Sequence, residues 1–83
     1  MSRKHFEMIA RSLNTDIKWL LRHGAWEKAH AVYDTTAGLC NCFKTFNPLF
    51  DEDRFKNAVL QGVTPCDKAN ARFLTEVKGA VAT

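Results

Sequence analysis

The side chains of this sequence that could ligate a metal ion are three cysteines and three histidines. Cys40 and Cys42 are separated by one residue, whereas paired ligands of structural zinc sites are usually separated by about two to four residues. On a helix, side chains two positions apart point about 200° away from each other, so these thiols cannot face one ion. The histidines, His5, His23 and His30, show no paired spacing. The sequence therefore predicts no metal site and no cofactor.

A cysteine nucleophile is the other chemistry that these residues could support. Cys66 lies in the first turn of a predicted helix, where the positive end of the helix dipole favours a thiolate. The neighbouring Asp67 opposes a further negative charge, and no histidine base is near in the sequence. Glycine-rich phosphate loops, paired-carboxylate motifs and serine elbows are absent. We therefore predict that the protein is not an enzyme.

The basic side chains point to binding instead. The net charge of +3 arises in residues 1–30, which carry six basic and three acidic side chains, whereas residues 31–83 carry six of each. This excess favours an acidic partner, either protein or nucleic acid. Tryptophan and arginine dominate binding hot spots, although core packing is the alternative for both tryptophans. The predicted partner-binding residues are Arg3, Lys4, Arg11, Lys18, Trp19, Arg22 and Trp26.

Apolar residues at helical spacing must position these side chains, and they predict an all-α fold. We expect a compact bundle of four to five short helices in a single domain, residues 1–83. Ser2 is the predicted cap of the first helix, which Asn14 and Thr15 interrupt after residue 13. A short helix then covers residues 16–23, and Gly24 ends it in a left-handed conformation.

The longest pattern, Ala25–Phe46, predicts one helix, and Gly38 in its middle predicts a bend or a close helix contact. Pro48 ends this helix because proline disfavours helical geometry in the residue before it. Asp51 is the predicted cap of the next helix, which ends at Gly62. The inward-facing stripe of the long helix is Trp26, Ala29, Tyr33, Thr36, Cys40 and Phe43, widened by Val32 and Leu39.

The last helix opens at Thr64-Pro65, with Thr64 as the cap and Pro65 at the first helical position. Its stripe includes Phe73 and Val77, and residues 80–83 are predicted to fray. At the start of the preceding helix, the rings of Phe50 and Phe55 bracket the cap and three carboxylates. We expect both rings to anchor the turn on the core while the carboxylates begin the helix, with an exposed acidic binding surface as the alternative.

Composition indicates a folded protein, because 46% of the residues are hydrophobic and 25% are charged. No stretch approaches the roughly 18 apolar residues of a membrane span, and the N-terminus lacks an apolar signal-peptide core. An odd number of cysteines is atypical of small secreted domains, which depend on disulfides. We therefore predict a protein of the cytoplasm that does not associate with membranes.

Two blocks of sequence carry a resemblance: residues 3–10, RKHFEMIA, and residues 47–55, NPLFDEDRF. Together they resemble a group of very short, mostly uncharacterised proteins encoded by bacteriophages and mobile elements. In that group, a start like RKHF-E-x-IA is followed by NP-x-FD-x-x-RF and a short final helix. Residues 13–46 and the tail after Gly62 are not covered by the resemblance.

The resemblance implies an origin, and it brings no catalytic residue with it. Small phage proteins without catalytic motifs often bind and block a host enzyme or a defence complex, and anti-CRISPR proteins have this size and character. We therefore expect a phage-derived binding protein that inhibits or modulates a bacterial host complex or an anti-phage defence complex. Its localisation would be the cytoplasm of the bacterial host.

The alternative is a small DNA-binding regulator of the helix-turn-helix type, with residues 16–23 and the helix from Ala25 as the pair. Lys18, Arg22 and Lys28 would then contact phosphates. Against it, the second helix begins with few side chains that read base edges. A virion assembly component is a third class. The oligomeric state is open, and an exposed aromatic stripe on the long helix would provide a dimer surface.

Overall fold

The computed structural model describes the backbone of residues 3–82 and the side chains of residues 3–77. Within these residues the chain forms helices and no strand, so the predicted all-α class is confirmed. The predicted cap Ser2 lies outside the described residues. The four helices are α1 (Arg3–Arg22), α2 (Trp26–Phe46), α3 (Glu52–Val59) and α4 (Lys68–Ala82).

Helix α1 unites the first two predicted helices. It runs without a break through Asn14 and Thr15, so the predicted interruption and the separate helix at residues 16–23 are wrong. The Thr15 hydroxyl donates a hydrogen bond to the Arg11 carbonyl at 3.0 Å, one turn earlier in the same helix. The Asn14 amide finds its partners on α3 instead. Both polar side chains are therefore satisfied without ending the helix.

The turn between α1 and α2 follows the prediction. Gly24 has a φ of +73°, in the left-handed region that glycine adopts without steric cost. Helix α2 begins at Trp26 with no side-chain cap. Because this connection is short, the two helices pack side by side. The predicted stripe of α2 is confirmed in its buried members, Ala29, Thr36, Cys40 and Phe43.

Gly38 does not have the predicted close contact. A Cβ built on Gly38 would meet nothing within 4 Å, and α2 continues on both sides of it. The helix ends at Phe46 as predicted, because Pro48 follows and Asn47 is extended. The Asn47 side-chain oxygen then accepts from the N–H of Leu49 at 3.1 Å, which stabilises the turn into α3.

The caps of α3 and α4 differ in how well the sequence predicts them. Asp51 caps α3 as expected, accepting from the N–H of Arg54 at 3.0 Å. For α4, Thr64 is the wrong cap and Pro65 lies before the helix. Asp67 accepts from the N–H of Asn70 at 2.9 Å, and the helix begins at the next residue. An aspartate is the stronger N-cap, so the helix starts there.

One cluster of buried side chains joins all four helices. Helix α1 packs against α2 and α3, and α4 packs mainly against α2. The molecule measures 37 × 28 × 17 Å, and its shortest dimension admits about two layers of helices. Helix α4 continues to Ala82 although fraying is predicted from residue 80, and Thr83 lies outside the described residues. The largest fully buried side chains are Phe73, Ile17, Val59, Thr36 and Cys40.

Candidate functional site

Four phenylalanine rings pack together where α1, α2 and α3 meet. The ring centroids of Phe6 and Phe43, and those of Phe6 and Phe50, are 4.9 Å apart. The Phe55 ring lies 5.5 Å from Phe43 and 5.6 Å from Phe50. All four contacts are tilted or edge-to-face, the arrangements that aromatic pairs prefer. The expectation that Phe50 and Phe55 anchor the turn on the core is confirmed.

The two sequence blocks, residues 3–10 and residues 47–55, lie against each other through this cluster. Between them is a groove with a cavity volume of about 250 Å³, which we call the aromatic groove. Its floor is apolar and includes Ala10 of α1 and Ala58 of α3. Its charged side chains are Arg3, Glu7, Asp51 and Arg54. Blocks about 40 residues apart in the sequence thus build one surface feature.

Two exposed apolar side chains lie at the turn that borders the groove. Leu49 is 91% exposed and lines the groove, and Phe46 is 82% exposed at the end of α2. Adjacent residues have opposite positions here, because Phe50 packs against the core and Leu49 is exposed. In the sequence, Leu49 and Phe50 follow Pro48 as a short apolar connector, and nothing in that pattern indicates that Leu49 is exposed. The signal that could have found it is that a short turn cannot bury two adjacent large apolar side chains, so one of them must be exposed.

A second surface lies on the exposed side of α1. Lys4, Arg11 and Lys18 are seven residues apart and Arg22 follows four later, so all four lie on one side of the helix. All four are exposed, and within residues 3–77 none of them takes part in an ion pair. Two apolar side chains, Met8 and Trp19, are also exposed beside them. We call these six residues the basic face.

Trp19 is the aromatic centre of the basic face. Its side chain is 56% exposed, so core packing is the wrong expectation for this tryptophan. The His23 ring stacks on it with ring centroids 4.1 Å apart. His23 Nδ1 also lies 2.8 Å from the Trp19 carbonyl oxygen, and Nδ1 donates because a carbonyl only accepts. The stack restrains the indole in an exposed position.

The structure separates the other two predicted binding residues from this face. Arg3 lines the aromatic groove, where its Nε lies 3.7 Å from a carboxylate oxygen of Glu7. Trp26 is half-buried and packs against the core, as the alternative for it predicts. The Arg72 guanidinium of α4 covers its ring at 4.8 Å from the centroid. Of the seven predicted residues, five are therefore brought together, and Met8 joins them without having been predicted.

Helix α1 also holds the end of α3. The Asn14 amide nitrogen donates to the carbonyl oxygens of Val59 at 2.7 Å and Gln61 at 2.9 Å. Val59 is the last residue of α3, whose terminal carbonyl oxygens have no partner within their own helix, and Gln61 lies in the turn that follows it. The Lys18 amine lies over Gly62, so close that a Cβ on this glycine would be 2.8 Å from Nζ. Lys18 thus belongs to the basic face and also touches the end of α3.

A separate charge cluster joins α2 to α3. Glu52 accepts hydrogen bonds from Lys44 of α2 and from Lys56, whose Nζ lies at 3.0 Å. The hydrogen bond from Lys44, followed by that from Lys56, lowers the pKa of the Glu52 carboxyl. The hydrogen bond between Lys56 and Glu52 also raises the pKa of Lys56. Burial raises the pKa of the Cys40 thiol, and the charge of Glu52 raises it further. Glu52, Lys44 and Lys56 thus pair with one another and connect α2 to α3.

The cysteines are placed as their spacing indicates. Cys40 is buried and Cys42 exposed, on different sides of α2, and Cys66 is exposed before α4. The Cys66 sulfur accepts from the Asn70 amide at 3.4 Å. Within the described residues, no group of three or more metal-ligating side chains is close enough to hold an ion. Nor is any helix in residues 3–82 long and apolar enough to cross a membrane.

Comparison with known proteins adds no relative to this description. No family model matches the chain, and no curated protein or solved structure shows significant similarity to it. The aromatic groove and the basic face are therefore interpreted from their own geometry and chemistry.

Proposed function

We propose that this chain is a non-enzymatic binding protein that inhibits or modulates a bacterial protein complex, and that it binds an acidic protein surface through the basic face. The observation that carries the proposal is the set of four exposed cations on one side of α1, with no ion pair among the described residues. Like charges on one side of a helix do not stabilise it, and the pair Lys18 and Arg22, four residues apart, repel each other. An external partner is the simplest physical reason for this arrangement.

The apolar members of the face favour a protein as the partner. Trp19 lies among the cations with its ring restrained by His23, so little conformational freedom is lost when a partner covers it. Tryptophan and arginine are the residue types enriched at the centres of protein interfaces. Met8 adds an adaptable apolar side chain on the same side of the helix.

Charge density argues against duplex DNA as the principal partner. The four cations of the basic face are spread over about 27 Å of helix, whereas duplex DNA carries a phosphate charge about every 1.7 Å of its axis. The whole chain has a net charge of only +3. The helix-turn-helix alternative also loses its first helix, because residues 16–23 are the second half of α1. DNA binding stays as the alternative outcome of the test below.

The resemblance of the two blocks supports a bacteriophage or mobile-element origin, and hence a target in the bacterial host or in its anti-phage defences. The two blocks lie together in the aromatic groove, and packing and capping explain several of their residues. The resemblance therefore supports the phage or mobile-element origin, and it gives little support for a particular binding surface. An anti-CRISPR-like inhibitor is the most specific form of this proposal.

The test compares two double variants with equal charge. Arg11→Glu/Arg22→Glu changes the basic face, and Lys28→Glu/Lys68→Glu changes two exposed lysines on α2 and α4. Each reversal lowers the net charge by two, so both variants carry −1 instead of +3. Tagged proteins are used to capture partners from a bacterial host lysate treated with nuclease, and affinity for the captured complex is then measured at several salt concentrations.

We expect the wild type and the Lys28/Lys68 variant to retain one stoichiometric complex with an acidic contact surface. We expect the Arg11/Arg22 variant to lose it, with affinity reduced by about 100-fold. Equal binding by both variants would remove the basic face from consideration. Retention of nucleic acid alone when nuclease is omitted, together with binding to random duplex DNA that weakens steeply with salt, would favour the DNA-binding alternative.

A further inference from the structure

We infer that the aromatic groove, with Leu49 in its lining and Phe46 next in the chain to the lining residue Asn47, is a self-association surface that takes the same surface of a second copy of this chain. The inference goes beyond the proposed function, because it assigns a second interface on a different part of the molecule. It starts from Leu49 and Phe46, which are 91% and 82% exposed and are the most exposed large apolar side chains described.

The surface presents a projection and a recess side by side. Leu49 projects from the turn, and the recess beside it has an apolar floor that includes Ala10 and Ala58. In a twofold-symmetric dimer the same patch is used by both copies, so each copy needs both a projecting group and a place to receive one. In the dimer we infer, Leu49 of each copy lies over the groove of the other.

The charges around the groove also suit a second copy. Two cations, Arg3 and Arg54, and two carboxylates, Glu7 and Asp51, line it, so the patch carries both signs in equal number. A patch of this kind can oppose cations to carboxylates when it meets itself. The charged side chains of the basic face are all cations, so it would repel a second basic face. The groove is thus the surface on which two copies can meet without charge repulsion.

The size of the groove favours a side chain over a small-molecule ligand. Its volume is about 250 Å³, below the roughly 300–1,000 Å³ of pockets that enclose drug-sized ligands. A recess this small receives one or two apolar side chains, as anchor residues of protein interfaces do. Leu49 and Phe46 of a second copy are side chains of this kind, and they are always present at the same concentration as the groove.

The first experiment is sedimentation equilibrium of the full chain from micromolar to millimolar concentration. It compares the wild type with Leu49→Lys and with the matched control Met8→Lys, which adds the same charge at another exposed aliphatic residue, 65% exposed, on the basic face. Circular dichroism establishes that each variant is folded. We expect reversible dimers of the wild type and of Met8→Lys, and a dissociation constant at least about tenfold higher for Leu49→Lys.

A second experiment locates the contact. Isotope-filtered nuclear Overhauser spectra of mixed labelled and unlabelled chains are expected to show contacts between the Leu49 methyls of one copy and Ala58 or Phe50 of the other. Intermolecular contacts from Met8 or Trp19 instead would place the dimer interface on α1 and overturn the inference. A monomer at every concentration, or equal weakening by Leu49→Lys and Met8→Lys, would overturn it as well. Capture of the acidic partner tests the basic face separately, since Leu49→Lys leaves that face unchanged.

Discussion

The aromatic groove and the basic face both use α1, and they have opposite relations to the fold. The groove is built on residues that also hold the helices together, since Phe6 packs on Phe43 and Phe50, and Asp51 caps α3. The basic face consists of exposed side chains, of which Lys18 also lies against Gly62 after α3. We therefore expect changes in the packed residues of the groove to lower stability, and changes in the exposed cations of the basic face, Lys18 apart, to leave it nearly unchanged.

This difference teaches how each surface can be assigned a function. A charged residue that neither packs nor pairs is explained by its exposure to water, and it can serve a partner without loss of stability. A motif residue that packs or caps is already explained by the fold. The groove therefore needs its additional exposed residues, Leu49 and Phe46, before it indicates an interface.

The largest expected effect separates the two regions by stability. Phe55→Ala removes a ring that is 4% exposed and packed against Phe43 and Phe50, and we expect the free energy of unfolding to fall by about 3–5 kcal/mol. Arg11→Ala on the basic face should change it by less than about 0.5 kcal/mol. Urea unfolding followed by circular dichroism measures both. A large loss from Arg11→Ala would break the distinction between the regions.

Asn14 of α1 donates hydrogen bonds to the end of α3, and its contribution to stability can be measured. Asn14→Ala removes the hydrogen bonds to the carbonyls of Val59, the last residue of α3, and of Gln61 in the turn after it, and we expect a loss of about 1–2 kcal/mol after the better helix propensity of alanine is included. Thr15→Ala is the control, because Thr15 bonds only within α1 and should be nearly neutral. Equal urea midpoints for the two variants would contradict the role of Asn14 in holding α3.

A smaller effect decides whether Lys18 belongs to the fold or only to the basic face. Gly62→Ala and Gly24→Ala both place alanine at a positive φ, +77° and +73°, and each should cost about 1 kcal/mol. Only the Gly62 variant also meets the Lys18 amine, which is flexible and can move. We therefore expect similar thermal stabilities and a displaced Lys18 in the Gly62 variant, observed by NMR. A much larger loss at Gly62 would show that Lys18 is fixed by the fold.

The smallest effect contrasts paired charges with the unpaired charges of the basic face. Glu52→Gln should slightly destabilise the protein at neutral pH, because Glu52 binds Lys44 and Lys56. The pKa of Glu52 is lowered by folding, so its contribution is present above the unfolded-state pKa, about 4.3, and is lost as pH falls through the lowered value. The difference between wild type and variant should therefore vanish in acid. Urea titrations at neutral and acidic pH test this.

The ion pair between Lys56 and Glu52 also predicts a loss of stability at high pH. Folding raises the pKa of Lys56 through its bond to Glu52, so this contribution is present below the unfolded-state pKa of about 10.4 and disappears as pH rises through the folded value. Arg11→Gln is the control, because Arg11 has no ion pair among the described residues. This variant should show no comparable pH dependence. A pH-independent difference for Glu52→Gln would mean that the cluster contributes by packing alone.

Local signals in the sequence determined much of the fold. The Asp51 cap, the end of α2 before Pro48 and the left-handed Gly24 were predictable, because each depends on the conformational preferences of a few adjacent residues. The buried stripe of α2 was predictable from helical periodicity alone. The clustering of Arg11, Lys18 and Arg22 on one side also follows, once α1 is known to be one helix.

Tertiary structure decided the features that depend on residues far apart in the chain. Asn14 looks like a helix breaker in sequence, and only the nearby end of α3, about 45 residues away, makes it a hydrogen-bond donor within a continuous helix. The meeting of the two blocks in one groove, and the outward turn of Leu49 beside the inward turn of Phe50, follow from how α1 packs on α3. Periodicity reports which face of a helix is buried, whereas the partner of that face depends on contacts that no local pattern contains.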